Sequence, residues 1–317
     1  MTSPMGRRIT SIIILALILW LPGKAPAREK AGRFFYHGNG EIRLASAKNG
    51  AVFSGRYRNR AGRYDEAALK AISRVFGAPP DSRRRYLSLR LVAFLDYLQD
   101  HFRPTAEITI ISGYRRPEYN RALRRQGALA AKASLHQYGM AADIRMEGVA
   151  SRRIWEYVKA LGFGGAGYYH GKNVHIDVGP ARFWDEKTSG VGSGLADDNK
   201  LIGLVIDYDI YAPGDSITLD FIRMTAFPID VRRGFVLMKR TPGAGPQRVL
   251  FFSPEFQAPV EGPCPRFGDI DQMAAVKWQL PLNLQAGRYQ VQAVFCDNPW
   301  DKMPAEIQTP EFQVIKP

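Results

Sequence analysis

Residues 186–200, EKTSGVGSGLADDNK, are rich in glycine, serine and charge, have no apolar period, and separate two stretches of different texture. A segment of this kind offers no face to bury, so it reads as a linker at which the chain divides. The length of 317 residues suits two domains of ordinary size. The boundaries drawn from this are residues 28–185 for a first domain, 186–200 for the linker and 201–317 for a second domain.

The first domain mixes helical and extended patterns. Asp65 caps a helix from Glu66 to about Phe76, which Gly77 and Pro79-Pro80 end. From Arg84 to His101, the residues Leu87, Leu91, Phe94, Leu95 and Leu98 fall on one helical face and read as core. Glu107 to Ser112 is a β-branched strand, Pro117 opens a short helix to about Gln126, and Arg152 to Leu161 is helical. Met140–Ile144 and Val174–Val178 are extended, and FFYHGNGEIRL at 34–44 reads as a hairpin about Gly38-Asn39-Gly40. The absence of a regular βαβ rhythm points to an α+β fold. Beyond the linker about seven short alternating strands, from LVIDYDIYA to EFQVI, indicate an all-β sandwich of immunoglobulin or fibronectin type.

The first residues have the form of an export signal. Arg7 and Arg8 precede an uncharged run from Ile9 to Leu21, and Ala25-Pro26-Ala27 offers a small-x-small cleavage site, so residues 1–27 read as a signal peptide. The run is about 13 residues long, against roughly 20 for a membrane span, so a retained anchor is the alternative and an uncleaved signal the only expected membrane contact. The mature protein is then periplasmic or secreted, where disulfides persist. Whether Cys264 and Cys296 are bridged stays open, because sequence does not supply their separation.

Net charge is distributed unevenly. Residues 195–317 hold 12 Lys or Arg against 15 Asp or Glu, a net of −3, so residues 1–194 carry +17 and the whole chain +14. A basic surface attracts polyanions. For an exported protein the acidic polymer at hand is the wall, with its carboxylate-bearing peptide stems, and nucleic acid is not expected; a merely solvated surface is the bland alternative.

Three stretches of the first domain concentrate ligand-type side chains: SGYRRPEYN at 112–120, SLHQYGMAADI at 134–144 and NVHIDVG at 173–179. A hydrolytic zinc site needs three protein ligands and one open position, and His136, Asp143 and His175 can supply the three. Gly139, Ala141 and Ala142 are small enough to let His136 and Asp143 meet. In an extended strand His175 and Asp177 share a face, which places Asp177 beside the metal or in support of its ligands.

The series S-G-Y-R-x-P, S-x-H-x-x-G-x-A-x-D and V-H-x-D-x-G resembles the periplasmic murein endopeptidases of the YcbK type. These lie within the zinc D-alanyl-D-alanine carboxypeptidase superfamily, which shares its metal core with hedgehog signalling domains. FFYHGNGEIRL, GRYDEAAL, GGAGYYHG and RFW extend the likeness over about residues 33–185, and it stops short of the second domain. The resemblance implies a hedgehog-like catalytic domain, Zn2+ on His136, Asp143 and His175, and Arg115 as the group that steadies an oxyanion. It also implies hydrolysis of peptide cross-links in peptidoglycan, with stem peptides as partners. Ser134, Tyr114 and Tyr169 are expected to meet substrate. Many relatives in the wider superfamily carry an acid or His shortly before the last ligand, where this chain has Lys172 and Asn173. Asp177 is therefore taken as the catalytic base, with His170 and Tyr169 behind it. The alternatives are a D,D- or L,D-carboxypeptidase trimming stem peptides, and a non-catalytic peptidoglycan-binding protein with a degenerate site. The second domain shows no cluster of ligand-type residues and is expected to position the enzyme or to dock a protein partner.

Overall fold

A computed structural model describes residues 32–79, 86–119, 122, 134–188, 202–224, 227–257, 259–299 and 303–316. The expected signal peptide lies outside these residues, as do most of the linker and most of the helix expected after Pro117, of which residues 117–119 and 122 are helical. The protein is a mixed α/β structure dominated by strands, with two apolar clusters, the first of which also takes in Val205 and Ile222.

A seven-stranded sheet forms the first half. Its strands are β1 (Glu41–Ser46), β2 (Val52–Arg56), β3 (Ile108–Ser112), β4 (Ala141–Met146), β5 (Gly165–Tyr168), β6 (Val174–Asp177) and β7 (Arg182–Asp185), in the spatial order β2-β1-β3-β4-β6-β5-β7. The pairs β1–β3 and β5–β7 are parallel and the others antiparallel. Strand alternation sends Ala142, Ile144, Ala166, Val174 and Ile176 into the apolar cluster, and sends Asp143, His175 and Asp177 to the opposite face.

Flanking this sheet are α1 (Glu66–Val75), α2 (Leu89–Phe102) and α3 (Ser151–Leu161). The Asp65 carboxylate accepts from the Ala67 and Ala68 amides at 2.8 and 3.0 Å, satisfying two amides that the first turn of α1 leaves without partners. Gly77, at φ 69°, closes α1, with the Ala78 amide donating back to Ser73. Helix α2 starts at Leu89, after the expected Arg84, and buries Leu91, Phe94, Leu95 and Leu98 as its periodicity requires.

The expected hairpin about Gly38-Asn39-Gly40 is not formed; the first hairpin joins β1 to β2 further along. Residues 38–40 instead lie across α2. The Gly40 amide donates to Asp96 Oδ2 at 2.9 Å, the Asn39 amide donates to Asp100 at 2.8 Å, and Arg58 donates to the Gly38 carbonyl at 2.6 Å. A Cβ on Gly38 would overlap the Asp96 side chain, so this glycine serves close approach and not a tight turn.

The second half holds β8 (Gly203–Ile206), β9 (Ile210–Tyr211), β10 (Ser216–Ile222), β11 (Ile229–Asp230), β12 (Phe235–Arg240), β13 (Gln247–Phe252), β14 (Arg266–Phe267), β15 (Val276–Gln279), β16 (Gly287–Val294), β17 (Glu306–Gln308) and β18 (Phe312–Val314). They form sheets in the orders β15-β10-β8, β11-β14 and β13-β12-β16-β18-β9, with β17 also on β16. The stretch expected as one strand, LVIDYDIYA, breaks into β8 and β9. Asp207 at the break accepts from Tyr211 Oη at 2.6 Å and from the Thr218 amide at 3.0 Å. Cys264 and Cys296 form a disulfide, their Cα atoms 6.2 Å apart.

Asp96, on α2, is fully buried. Its Oδ2 accepts from Tyr57 Oη and the Gly40 amide, while its Oδ1 has no hydrogen-bond partner among the described residues. Burial raises its pKa to about 6, above the ordinary Asp value of about 3.9. Between those values the folded state holds a proton that the unfolded state has released, so stability falls as pH rises through the window. The expected outcome is a thermal midpoint that declines from pH 4 to pH 6 in the unaltered protein, with that part of the slope absent in Asp96→Asn; equal slopes in the two proteins would contradict it.

Candidate metal centre

The pairing of neighbouring strands builds the site as a row across the sheet. Ser112 on β3 pairs with Asp143 on β4, Asp143 with His175 on β6, His175 with Gly167 on β5, and Gly167 with Trp184 on β7. Two residues along, a second row runs Ala141, Asp177, Gly165 and Arg182. In both rows a large group lies over a glycine. A Cβ on Gly167 would sit inside the Trp184 indole, and one on Gly165 inside the Asp177 carboxylate.

His136 reaches the same place from outside the sheet, on a 3-10 turn (Leu135–Tyr138) that Gly139 ends at φ 62°. Ligating atoms of His136, Asp143 and His175 all lie within 4.8 Å of one another, and all three residues are buried. The ring nitrogens are sorted by their other contacts. His136 Nδ1 is 2.7 Å from the Gly113 carbonyl, which makes it the protonated nitrogen and leaves Nε2 facing Asp143 at 3.6 Å. His175 Nε2 is 3.1 Å from Asp177, leaving Nδ1 toward Asp143 at 3.0 Å. Two imidazoles with outer hydrogen bonds and inward lone pairs, beside a carboxylate, form a donor set that fits a borderline cation such as Zn2+.

Asp143 is the centre of this network. Its Oδ1 accepts from Tyr169 Oη at 2.9 Å, and its Oδ2 accepts from Arg115 Nη2 at 3.0 Å. Burial pushes its carboxyl up, but the facing His136 and His175 outweigh this and hold it well below the usual range. Burial lowers the pKa of His136. In His175 the same burial effect is overcome by hydrogen bonds to Asp143 and Asp177, and the net shift is upward. Burial and the Asp143 charge hold the Tyr169 hydroxyl far above its ordinary value, so it stays a proton donor.

Of the residues singled out in the sequence, His136, Asp143, His175, Arg115 and Tyr169 come together. Asp177, expected as the base, sits behind His175. It lies on the far edge of the His175 ring, completely buried, and accepts from Arg182 Nη2 at 2.8 Å and from the Gly179 amide at 3.0 Å. Burial raises its pKa, but Arg182 and His175 more than offset this and bring it to about 2. A carboxylate so engaged orients His175 and is poorly placed to take a proton from the open side. His170 is exposed, with Nε2 2.6 Å from Asp185, and is not brought to the cluster. Tyr114 packs edge-on against Tyr86 at 5.6 Å, its amide tied to the Phe76 carbonyl at 2.8 Å. Ser134 is buried at the start of the His136 turn and makes no capping hydrogen bond through its side chain.

Sequence reasoning gave no role to Ser112, Arg182 or Trp184. Ser112 Oγ accepts from Arg115 Nε at 3.0 Å and so fixes the guanidinium. Trp184 stands 5.7 Å from the His175 ring and 5.2 Å from Tyr169. RFW marked the segment, but only strand pairing reveals that its Trp shares a row with His175.

A buried His–Asp–His cluster on the polar face of a mixed sheet, edged by Arg and Tyr, defines a candidate metal centre. The stretch that holds it has known relatives: residues 37–184 match the family model described as peptidoglycan L,D-endopeptidase MepK. The Escherichia coli (strain K12) peptidoglycan L,D-endopeptidase MepK is 44% identical over 78 residues, covering 24% of this chain and 43% of the relative. A probable peptidoglycan L,D-endopeptidase MepK of Haemophilus influenzae is 42% identical over 80 residues, covering 25% and 43%. The chain thus spans less than half the length of the curated relatives it matches. A solved structure titled for the superantigen toxic shock syndrome toxin-1 aligns with a TM-score of 0.23 and 7% identity over 36% of this chain and 98% of that one, too distant to carry any argument. Over residues 37–184 the likeness to YcbK-type murein endopeptidases is established.

Gly167→Ala is expected to displace Trp184 and to lower unfolding free energy by about 1–3 kcal/mol, read by denaturant titration with tryptophan fluorescence. Asp177→Asn removes the charge behind His175 and is expected to weaken divalent-cation affinity at least tenfold, on the order seen for such outer partners, measured by competition with a chromogenic chelator.

Proposed function

We propose that this protein is a zinc metallopeptidase that hydrolyses peptide cross-links of bacterial peptidoglycan. The observation that carries the reading is the convergence of the buried His136, Asp143 and His175 donors within 4.8 Å, inside the stretch that matches the endopeptidase family. A zinc ion held by these three residues would polarise the scissile carbonyl and bring the pKa of a water to about 7, chemistry that lessens the need for a dedicated carboxylate base.

The chain's own groups have distinct tasks in this reading. Arg115, fixed by Ser112 and Asp143, holds a permanent positive charge where the substrate carbonyl oxygen becomes negative. Tyr169 keeps its hydroxyl proton and donates it to Asp143, which holds that carboxylate in place. Asp177 holds His175 in one tautomer and orientation. Trp184 forms an apolar wall beside His175 that helps keep bulk water from the reacting bond. Ser134 and Tyr114 serve the architecture of the two site loops and have no assigned contact with substrate.

The same reading sets the wider organisation. Residues 28–185 form the peptidase domain, hedgehog-like in its metal core, and residues 201–317 an immunoglobulin- or fibronectin-like sandwich after the 186–200 linker. The two apolar clusters and the largely antiparallel pairing of the second half support it. The parallel pair of β9 with β18 is an addition to a plain sandwich. Export by residues 1–27 would place the enzyme in the periplasm or outside the cell. No helix among the described residues is long and apolar enough to cross a membrane.

The decisive experiment incubates the protein with intact sacculi, purified cross-linked dimers and pentapeptide monomers. Conversion of dimers to monomers is expected, with loss after chelation, recovery on adding Zn2+, and at least a thousandfold reduction in Asp143→Ala, as removal of an essential site group implies. Release of only a terminal residue would replace the endopeptidase with a carboxypeptidase. Tight binding to sacculi without any bond cleavage would leave a wall-binding protein.

A further inference from the structure

The second half of the chain touches the His136 turn directly at Tyr138 and, at a second point, the start of α2, whose preceding residue Ser88 bonds the end of that turn. We propose that it is a working part of the metal centre, holding that turn in place through Tyr138; this rests on the metal-site reading above. The turn carries His136 and Tyr138 two residues apart. Tyr138 Oη accepts from the backbone amide of Arg223, immediately after β10, at 2.9 Å. Arg223 is buried and adopts φ 65°, a left-handed conformation that a side chain adopts only when its surroundings enforce it. Through Tyr138, a backbone amide of the sandwich bears directly on the turn that supplies one of the three donors.

The second attachment runs through α2. Arg90, in its first turn, donates through Nη2 to the Ile206 carbonyl at 3.0 Å and pairs with Asp209 at 2.8 Å, both side chains almost inaccessible to solvent at 5% and 2%. Two residues earlier, the Ser88 amide donates to the carbonyl of Gly139, the residue that ends the His136 turn. Gly139 itself admits no Cβ, because the Tyr86 carbonyl occupies that space. The turn is thus held at Tyr138 by Arg223 and at Gly139 by a strand of chain that Arg90 anchors to β8 and Asp209. Val205 and Ile222 of the second half complete the apolar cluster of the first, so the two halves share a core at this point.

Loops that carry ligands bind well only when packing fixes them before the ligand arrives. His136 lies outside the sheet that sets Asp143 and His175; the Gly113 carbonyl holds its ring and the Arg115 amide its carbonyl, and the two attachments add a hold on the rest of the turn from Tyr138 to Gly139. In this arrangement Tyr138 and Arg90 are positioning residues that act through the turn.

The test uses the full chain throughout. Tyr138→Phe keeps the ring and its packing but removes the hydroxyl that satisfies the Arg223 amide, and Arg90→Gln removes the second attachment. Zn2+ affinity is measured by competition with a chromogenic chelator, and thermal midpoints are taken on cation-free protein. Val291→Ala, in the core of the second half, serves as a control for simple destabilisation. Each attachment variant is expected to lose about tenfold or more in Zn2+ affinity, in the range known for residues that orient ligands. Val291→Ala should lower the midpoint with affinity unchanged. Full affinity in Tyr138→Phe and Arg90→Gln, beside a tight-binding parent, would overturn the positioning role and leave the metal site standing. Failure of the parent chain itself to bind Zn2+ would overturn both.

Discussion

The antiparallel pairing of β4 with β6 places Asp143 directly opposite His175, and the rest of the centre is arranged around that contact. A strand register is a discrete quantity: a slip of one residue in either strand would turn that strand's ligand into the apolar layer beneath the sheet. Ala142, Ile144, Val174 and Ile176, all fully buried in that layer, oppose such a slip, so the forces that build the core also fix the ligands. Chemistry and packing occupy opposite faces of the same strands.

The neighbouring strands extend this logic sideways. Gly165 and Gly167 clear the space above β5 that Asp177 and Trp184 fill, and the result is a His175 ring held from behind by a carboxylate and flanked by an indole. The burial that makes these contacts strong would be unfavourable for isolated charges. Each buried ionic group here has a partner: Asp143 with Arg115, Asp177 with Arg182, and the two imidazoles with carbonyl or carboxylate.

Much of this is legible in the sequence. The periodicity of α1 and α2, the β-branched run of β3 and the alternation of the second half follow from local rules, and the ordered motifs around His136, Asp143 and His175 pointed to one cluster. The failures have a common origin in long-range contact. Gly38-Asn39-Gly40 has the composition of a hairpin turn, yet the segment crosses α2 because Asp96 and Asp100, some sixty residues on, supply acceptors for its amides. Asp177 looked like a base because spacing put it beside His175, but spacing does not show Arg182 and the Gly179 amide already occupying its oxygens. Trp184 went unassigned because its position over Gly167 depends on a parallel pair between β5 and β7.

The Arg90–Asp209 pair carries a consequence for how this sequence can drift. Each charge is acceptable where it sits only because the other is there; a chain that kept one and lost the other would bury an uncompensated ion, at a cost of about 3–5 kcal/mol. That is comparable with the whole stability margin of a typical domain. Single substitutions at either position therefore face a valley, while a joint replacement by two apolar side chains does not. The energetics at this point tie the two halves of the protein together: a change at position 90 is tolerated best when position 209 changes with it.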